Sequence, residues 1–433
     1  MVSRLIILIP TLVACSLVRD LDDLPGPSGG GKASCLDLSP PGNVQTDLSG
    51  PTAPFKVPSS YLGMHVSPTD PNGGSAIAPP KYPYGYIRNF EVGSGSNLVQ
   101  RGFWQSIETA EAPQGQPGVF EWKHIDAWMD ANPGHPVIWM IYGTPTFYQK
   151  YSDQNDVDWG GDLPRGLHNP PSDEKHYALA RYAQAVKARY GARIAAFEVW
   201  HEPTLSYGDA GNYSKRCDDS ITDENVCPVA HRYFSGSASD LANIAYTLNS
   251  AGLDVPILGG GFVDQWGGGQ HSVSRFLDAP VTLPGGSGTG KDHVQALSIH
   301  FLDYNFTPAD LADHIDGYQQ KLKNSGVGSL SLWLTQSAAA APGVFGDTDD
   351  RAPTNIKRWA MIGAAKQLQS YVLYAHADPT TARQTLSDPV NNPAVQAAIS
   401  ASHELGGKTI CEAYLLTDGR VWLVTAEDGA LVE

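Results

Sequence analysis

Short apolar runs recur along this chain, each closed by glycine, proline or a polar side chain, with helical patterns between them. Strand-like runs fall at residues 61–66, 86–92, 136–142, 195–200, 255–259, 296–300, 330–334 and 370–375. They are short and rich in Ile, Val, Leu and aromatic residues, as strands of a buried sheet are. Between them, Leu179, Tyr182, Ala183, Val186 and Tyr190 recur at helical spacing, with Ser172 placed as an N-cap and Gly191 as the stop. Leu311, Ile315, Tyr318 and Leu322 mark a second such stripe between Pro308 and Gly326. Strands alternating with amphipathic helices predict an α/β fold, a closed parallel (β/α)8 TIM barrel over residues 58–407. An open doubly wound sheet is the competing architecture, but no glycine-rich dinucleotide fingerprint follows the first strand.

Residues 408–433 break this rhythm. Cys411 to Thr425 alternates like two strands joined by Thr417-Asp418-Gly419, a hairpin turn signal. The stretch is too short to form a sandwich alone. It is expected to pair with strands from residues 37–57, giving a small β-rich extension built from both terminal segments.

Composition narrows the function classes. Hydrophobic residues make up 41% of the 433 and charged residues 17%, ordinary values for a chain that buries a sizeable core. The net charge of −16 and the lack of any basic run argue against nucleic acid as a partner. At the N-terminus, Arg4 precedes a short apolar stretch, Leu5 to Val13, which reads as a signal peptide over residues 1–14. Leu12-Val13-Ala14-Cys15 resembles a bacterial lipobox. A lipid on Cys15 would then be the only membrane attachment, and residues 15–35, rich in Gly, Pro and Asp, would be a flexible tether. A simple cleavable signal with an incidental cysteine is the alternative. Either way the protein is expected to be exported, anchored in the cell envelope or secreted. The other four cysteines suit that setting. Cys217 and Cys227 bracket a polar loop that a disulfide would hold, and Cys35 with Cys411 would staple the termini together. Four cysteines allow three pairings. No CxxC or histidine cluster accompanies them, so no metal is expected, and no cofactor.

Two apolar runs end on polar side chains of chemical interest. Phe197-Glu198-Val199-Trp200-His201-Glu202-Pro203 delivers a carboxylate, and Leu330-Ser331-Leu332-Trp333-Leu334-Thr335-Gln336-Ser337 delivers an amide. Arg88 in the second strand run, the turn Gly143-Thr144-Pro145 and the helix entry Phe120-Glu121-Trp122 stand in order around them. In that order the segments resemble the glycoside hydrolases of family 39 and their relatives in clan A, over roughly residues 58–380. The resemblance implies that Glu202, ending the fourth strand, is the acid/base, and that Gln336 occupies the nucleophile position at the end of the seventh. His201 stands where the family has Asn, and Gln336 where it has Glu. Glycoside cleavage takes two carboxyl groups. An amide can hydrogen-bond a sugar but cannot form the covalent ester.

No glutamate occurs between Asp292 and His403, so shifting the alignment does not restore a nucleophile. Glu91, Glu108, Asp264, Asp303 and Asp378 follow other strands; Asp303, just after His300, is the best placed substitute by strand order. Glu198 lies deeper, where a charge needs a partner such as Arg88. Trp104, His201, His300 and Tyr304 are the candidate sugar contacts, since aromatic faces and a few polar groups line carbohydrate pockets. Three function classes follow: a glycoside hydrolase acting on an oligo- or polysaccharide with its second group lost or reassigned, a non-catalytic carbohydrate-binding envelope lipoprotein, or a structural lipoprotein using the barrel as scaffold. The partner in the first two is carbohydrate.

Overall fold

The computed structural model describes residues 35, 38–49, 54–66, 84–89, 103–150, 169–203, 234, 236–263, 269–301, 307–337, 352–376 and 393–433. Eight parallel strands close into a barrel: β1 (Leu62–Val66), β2 (Ile87–Arg88), β3 (Val137–Ile141), β4 (Ile194–Val199), β5 (Ile257–Val263), β6 (Ala296–Phe301), β7 (Ser331–Ser337) and β8 (Tyr371–His376). Each pairs with its sequence neighbours, and β8 returns to pair with β1. All eight fall on the expected apolar runs, so the closed barrel holds and the open sheet does not.

Seven described helices alternate with these strands: α1 (Lys123–Ala131), α2 (His176–Tyr190), α3 (Ala238–Ser250), α4 (Gly269–Asp278), α5 (Pro308–Asn324), α6 (Ala352–Ala365) and α7 (Pro393–Leu405). The stripes read from sequence face inward: Leu179, Tyr182, Ala183 and Val186 on α2, and Leu311, Ile315, Tyr318 and Leu322 on α5, are all buried. Ser172 is a correction. It precedes a 3-10 turn, Asp173–Lys175, its side chain caps nothing, and α2 starts at His176. Among the described residues no helix is long and apolar enough to cross a membrane.

Inside the barrel, strand alternation stacks side chains in layers. The lower layer is apolar: Tyr86, Ile138, Ala196, Leu258, Ala296, Trp333 and Val372 pack together. Two residues further along the strands stand Arg88, Met140, Glu198, Ser298 and Thr335; this layer is buried throughout and polar apart from Met140. The site rests on that polar layer.

Both chain ends build a second sheet. β9 (Thr409–Leu416) pairs antiparallel with β10 (Val421–Thr425), which pairs with β11 (Gly429–Val432). On its other side β9 takes the strand Val44–Asp47, and its start pairs with Phe55–Lys56. Gly419, with φ of 80°, makes the predicted hairpin turn. Cys35 and Cys411 form a disulfide with Cα atoms 5.8 Å apart, which ties the N-terminal segment to β9.

Candidate active site

Five strands supply the site and its base. β2 ends on Arg88, whose side chain is fully buried and needs compensation for its charge. Glu198, also fully buried, provides it: Arg88 Nε donates to Glu198 Oε2 at 2.5 Å. Ser298 and Thr335 hydroxyls donate to the other carboxylate oxygen at 2.5 and 2.6 Å. Burial pushes the Glu198 carboxyl up, but the Arg88 charge, the His300 ring and these donors outweigh it and hold the group well below the usual carboxylate range. His65, on β1, is pushed the other way. Burial and the Arg88 charge hold it well below the ordinary histidine value, so it stays neutral, with Nε2 at 3.0 Å from the Thr335 carbonyl.

Above this base the strands leave regular geometry. β4 stops at Val199, and Trp200 and Glu202 take φ values of 68° and 40°. Such backbone costs on the order of 1–3 kcal/mol for a side chain with a Cβ, and it persists where surrounding structure enforces it. Here Trp200 is locked edge-on against Tyr142 and Phe234. The turn breaks strand alternation and sends both His201 and Glu202 inward, where they are 2% and 5% exposed. On β7 a bulge does similar work. Leu334 pairs with Ile299 but Gln336 pairs with His300, so Thr335 is the extra residue. Thr335 can thus reach Glu198 below while Gln336 reaches Arg88 beside it.

The Arg88 guanidinium joins these parts. Its Nη1 donates to Gln336 Oε1 at 3.3 Å, and its Nη2 lies 3.4 Å from His201 Nδ1. Arginine has only donors, so the Gln336 oxygen must face it and the Gln336 NH2 group turns elsewhere. His300, fully buried on β6, sets Nδ1 at 3.0 Å from Glu202 Oε1. His201 Nε2 stands 3.9 Å from Glu202 Oε2. Glu202 and Gln336 are therefore tied to one mouth through His300, which bonds the first and is in register with the second.

Other sequence candidates fall elsewhere. Trp104 is a correction: it sits in a one-turn helix, Trp104–Ile107, its ring stacked with Tyr148 and Tyr182 and its Nε1 donating to Glu108 at 2.7 Å. At 1% exposure it has no face left for a sugar. His300 is fully buried and bonds Glu202 through Nδ1. Glu108 is buried and ion-paired with Arg181, a structural carboxylate. Asp303, Tyr304, Cys15, Cys217, Cys227, Glu91, Asp264 and Asp378 lie outside the described residues. Sequence reasoning overlooked Ser298, Thr335 and His65. Strand alternation placed Ser298 and Thr335 inward, and only the second oxygen of Glu198, which Arg88 does not fill, could have flagged them.

Comparison with known proteins supports the fold. No protein-family model matches the chain, and no curated protein matches it in sequence. Solved structures do. A monomeric β-xylosidase from Caulobacter crescentus CB15 aligns with a TM-score of 0.52 at 15% identity, covering 86% of this chain and 75% of its own. A GH39 enzyme from Xanthomonas axonopodis pv. citri gives 0.52 at 15% identity, with 88% and 74% covered. A glucosidase from Croceicoccus marinus gives 0.52 at 11% identity, with 87% and 77% covered. At these identities the likeness is one of fold: this chain has the TIM-barrel architecture of these enzymes.

Proposed function

We propose that the protein acts on an oligo- or polysaccharide as a member of the glycoside hydrolase group, with Glu202 as its acid/base and hydrolysis slowed by Gln336. One observation supports the reading: Glu202 bonds His300 and Gln336 accepts from Arg88, and both His300 and Arg88 stand beside the same buried carboxylate, Glu198. Glu202 can give a proton to a leaving oxygen. Gln336 can bind a sugar but cannot attack it, and losing one member of a coupled catalytic set costs roughly four to six orders of magnitude in rate. Incubation with a panel of bacterial and plant polysaccharides, scored for binding and for released reducing ends, tests it. Binding with slow release is expected; absence of both from every glycan rejects it.

The second reading is a non-catalytic carbohydrate-binding envelope lipoprotein. What favours it is the Gln336 orientation, with the oxygen held by Arg88 and the NH2 group offered as a donor. Binding with no release, unchanged by Glu202→Gln, supports this alternative. Export and lipidation at Cys15 belong to both readings. Cys15→Ser should free the protein from membranes without unfolding the barrel; unchanged membrane association rejects the anchor.

A further inference from the structure

We infer that His201, Glu202 and His300 form a binding site for a divalent transition-metal cation of the zinc class. Two imidazoles and a carboxylate, all buried, offer ligand atoms that lie within 4.8 Å of one another. Zinc bonds to such atoms are about 2.0–2.2 Å long, so its ligands sit roughly 3–4 Å apart. The Glu202 carboxylate faces both rings, with Oε1 3.0 Å from His300 Nδ1 and Oε2 3.9 Å from His201 Nε2. Hard cations such as Mg²⁺ prefer an all-oxygen shell, whereas this donor set suits zinc with a fourth position left for water or a sugar hydroxyl.

Three further features fit an ion here. His300 faces the cluster with Nδ1, and its Nε2, 3.8 Å from Glu198 Oε1 and so beyond hydrogen-bond distance, lies on the side where metal-bound imidazoles commonly have a carboxylate. Gly261 makes room for that ring, since a Cβ at this position would lie 2.5 Å from His300 Nε2. The strained turn at Trp200 and Glu202 brings two successive side chains, His201 and Glu202, to one point, which regular strand geometry forbids. One contact opposes the ion. With His201 bound through Nε2, its Nδ1 carries the ring proton and faces Arg88 Nη2, now 3.4 Å away. That contact is given up, while Arg88 keeps Glu198, which neutralises its charge beside the metal.

An ion bound to Glu202 would keep it from donating a proton, so this site competes with the acid/base role; the two are told apart because metal uptake is measured without any sugar. The full-length protein is stripped with EDTA, dialysed against ZnCl2 and assayed for bound zinc, with CoCl2 as a spectroscopic probe. One equivalent of zinc per chain and visible Co²⁺ absorption bands of low symmetry are expected. His201→Asn and Glu202→Gln, both close in shape to the native residues, should each weaken zinc binding by at least about 10–100-fold. Binding should also weaken as pH falls, because the ligands must shed protons to bind. Circular dichroism confirms that each variant is folded; His300→Ala is scored only if it passes, and then with the same expected loss. Folded wild-type protein that takes up no zinc, or zinc uptake that persists unchanged in both His201→Asn and Glu202→Gln, overturns the site.

Discussion

The exchange of carboxylate for amide at Gln336 is set against a guanidinium that already has its counter-ion. Arg88 is paired with Glu198 at 2.5 Å, so a neutral side chain at position 336 leaves no buried charge uncompensated. A glutamate there would still find Arg88 Nη1 in reach, 3.3 Å from the present oxygen. Gln336→Glu is therefore expected to fold and to raise hydrolysis of any glycan the panel identifies. Glu202→Gln should lower whatever hydrolysis exists by about 10²–10⁴-fold, the usual contribution of a general acid. Brisk wild-type turnover that Gln336→Glu leaves unimproved would assign the second role elsewhere, with Asp303 the first variant to make. A pH dependence of stability follows from buried histidines. Burial lowers His176, bonded through Nδ1 to the Thr247 hydroxyl at 2.7 Å, to about 4. The unfolded chain takes up this proton near pH 6.5 and the native one only near 4, so stability present above 6.5 is lost as pH falls through that window. One such group accounts for about 3 kcal/mol. Buried His65 acts in the same direction. Urea midpoints from pH 7 to 4 should fall for wild type and fall less for folded His176→Asn; equal slopes would contradict the assignment.

Elements are positioned by their ends. Capping boxes start α3 and α5: Ser237 with Asp240, and Thr307 with Asp310, each exchange backbone and side-chain hydrogen bonds. Thr307 and Pro308 thus begin α5 six residues after β6 ends on Phe301. Thr307→Ala should cost about 1 kcal/mol of stability, read from denaturant melts, with the barrel otherwise intact. Loss of barrel structure altogether would show that this cap does more than start a helix. At the strand ends the chemistry depends on irregularity. Regular alternation would have turned only every second residue inward at the ends of β4 and β7. A left-handed turn at the first and a bulge at the second each bring an additional polar side chain to the site.

On the scale of the whole molecule, barrel and terminal sheet hold one another. α6 packs against β9 and β10, and Lys357 on α6 reaches both Glu404 and Glu433 at the chain's end. The Cys35–Cys411 bridge spans 376 residues of sequence. It restricts the unfolded chain, and its loss should cost about 2–4 kcal/mol. Cys35→Ser is expected to lower the unfolding free energy from non-reducing denaturant melts by that amount, while dithiothreitol should lower the wild type to match. A wild type indifferent to reductant would count against the bridge.

The apolar pattern alone was enough to locate all eight barrel strands, because a strand buried on both faces must be continuously hydrophobic wherever it lies. It also located the terminal hairpin, whose turn needs the positive φ that Gly419 provides. Glu202, Gln336 and the Arg88–Glu198 pair were legible for a related reason: polar side chains ending apolar strands stand out, and a buried charge requires an opposite one. Trp104 was misplaced because an aromatic residue near a barrel mouth looks the same in sequence whether its ring faces solvent or a stack of tyrosines. The meeting of His201, Glu202 and His300 depends on a left-handed turn, and the reach of Gln336 to Arg88 on a bulge, and no local spacing records either. Those are tertiary decisions: packing around Trp200 and pairing between β6 and β7 hold the backbone where its own preferences would not.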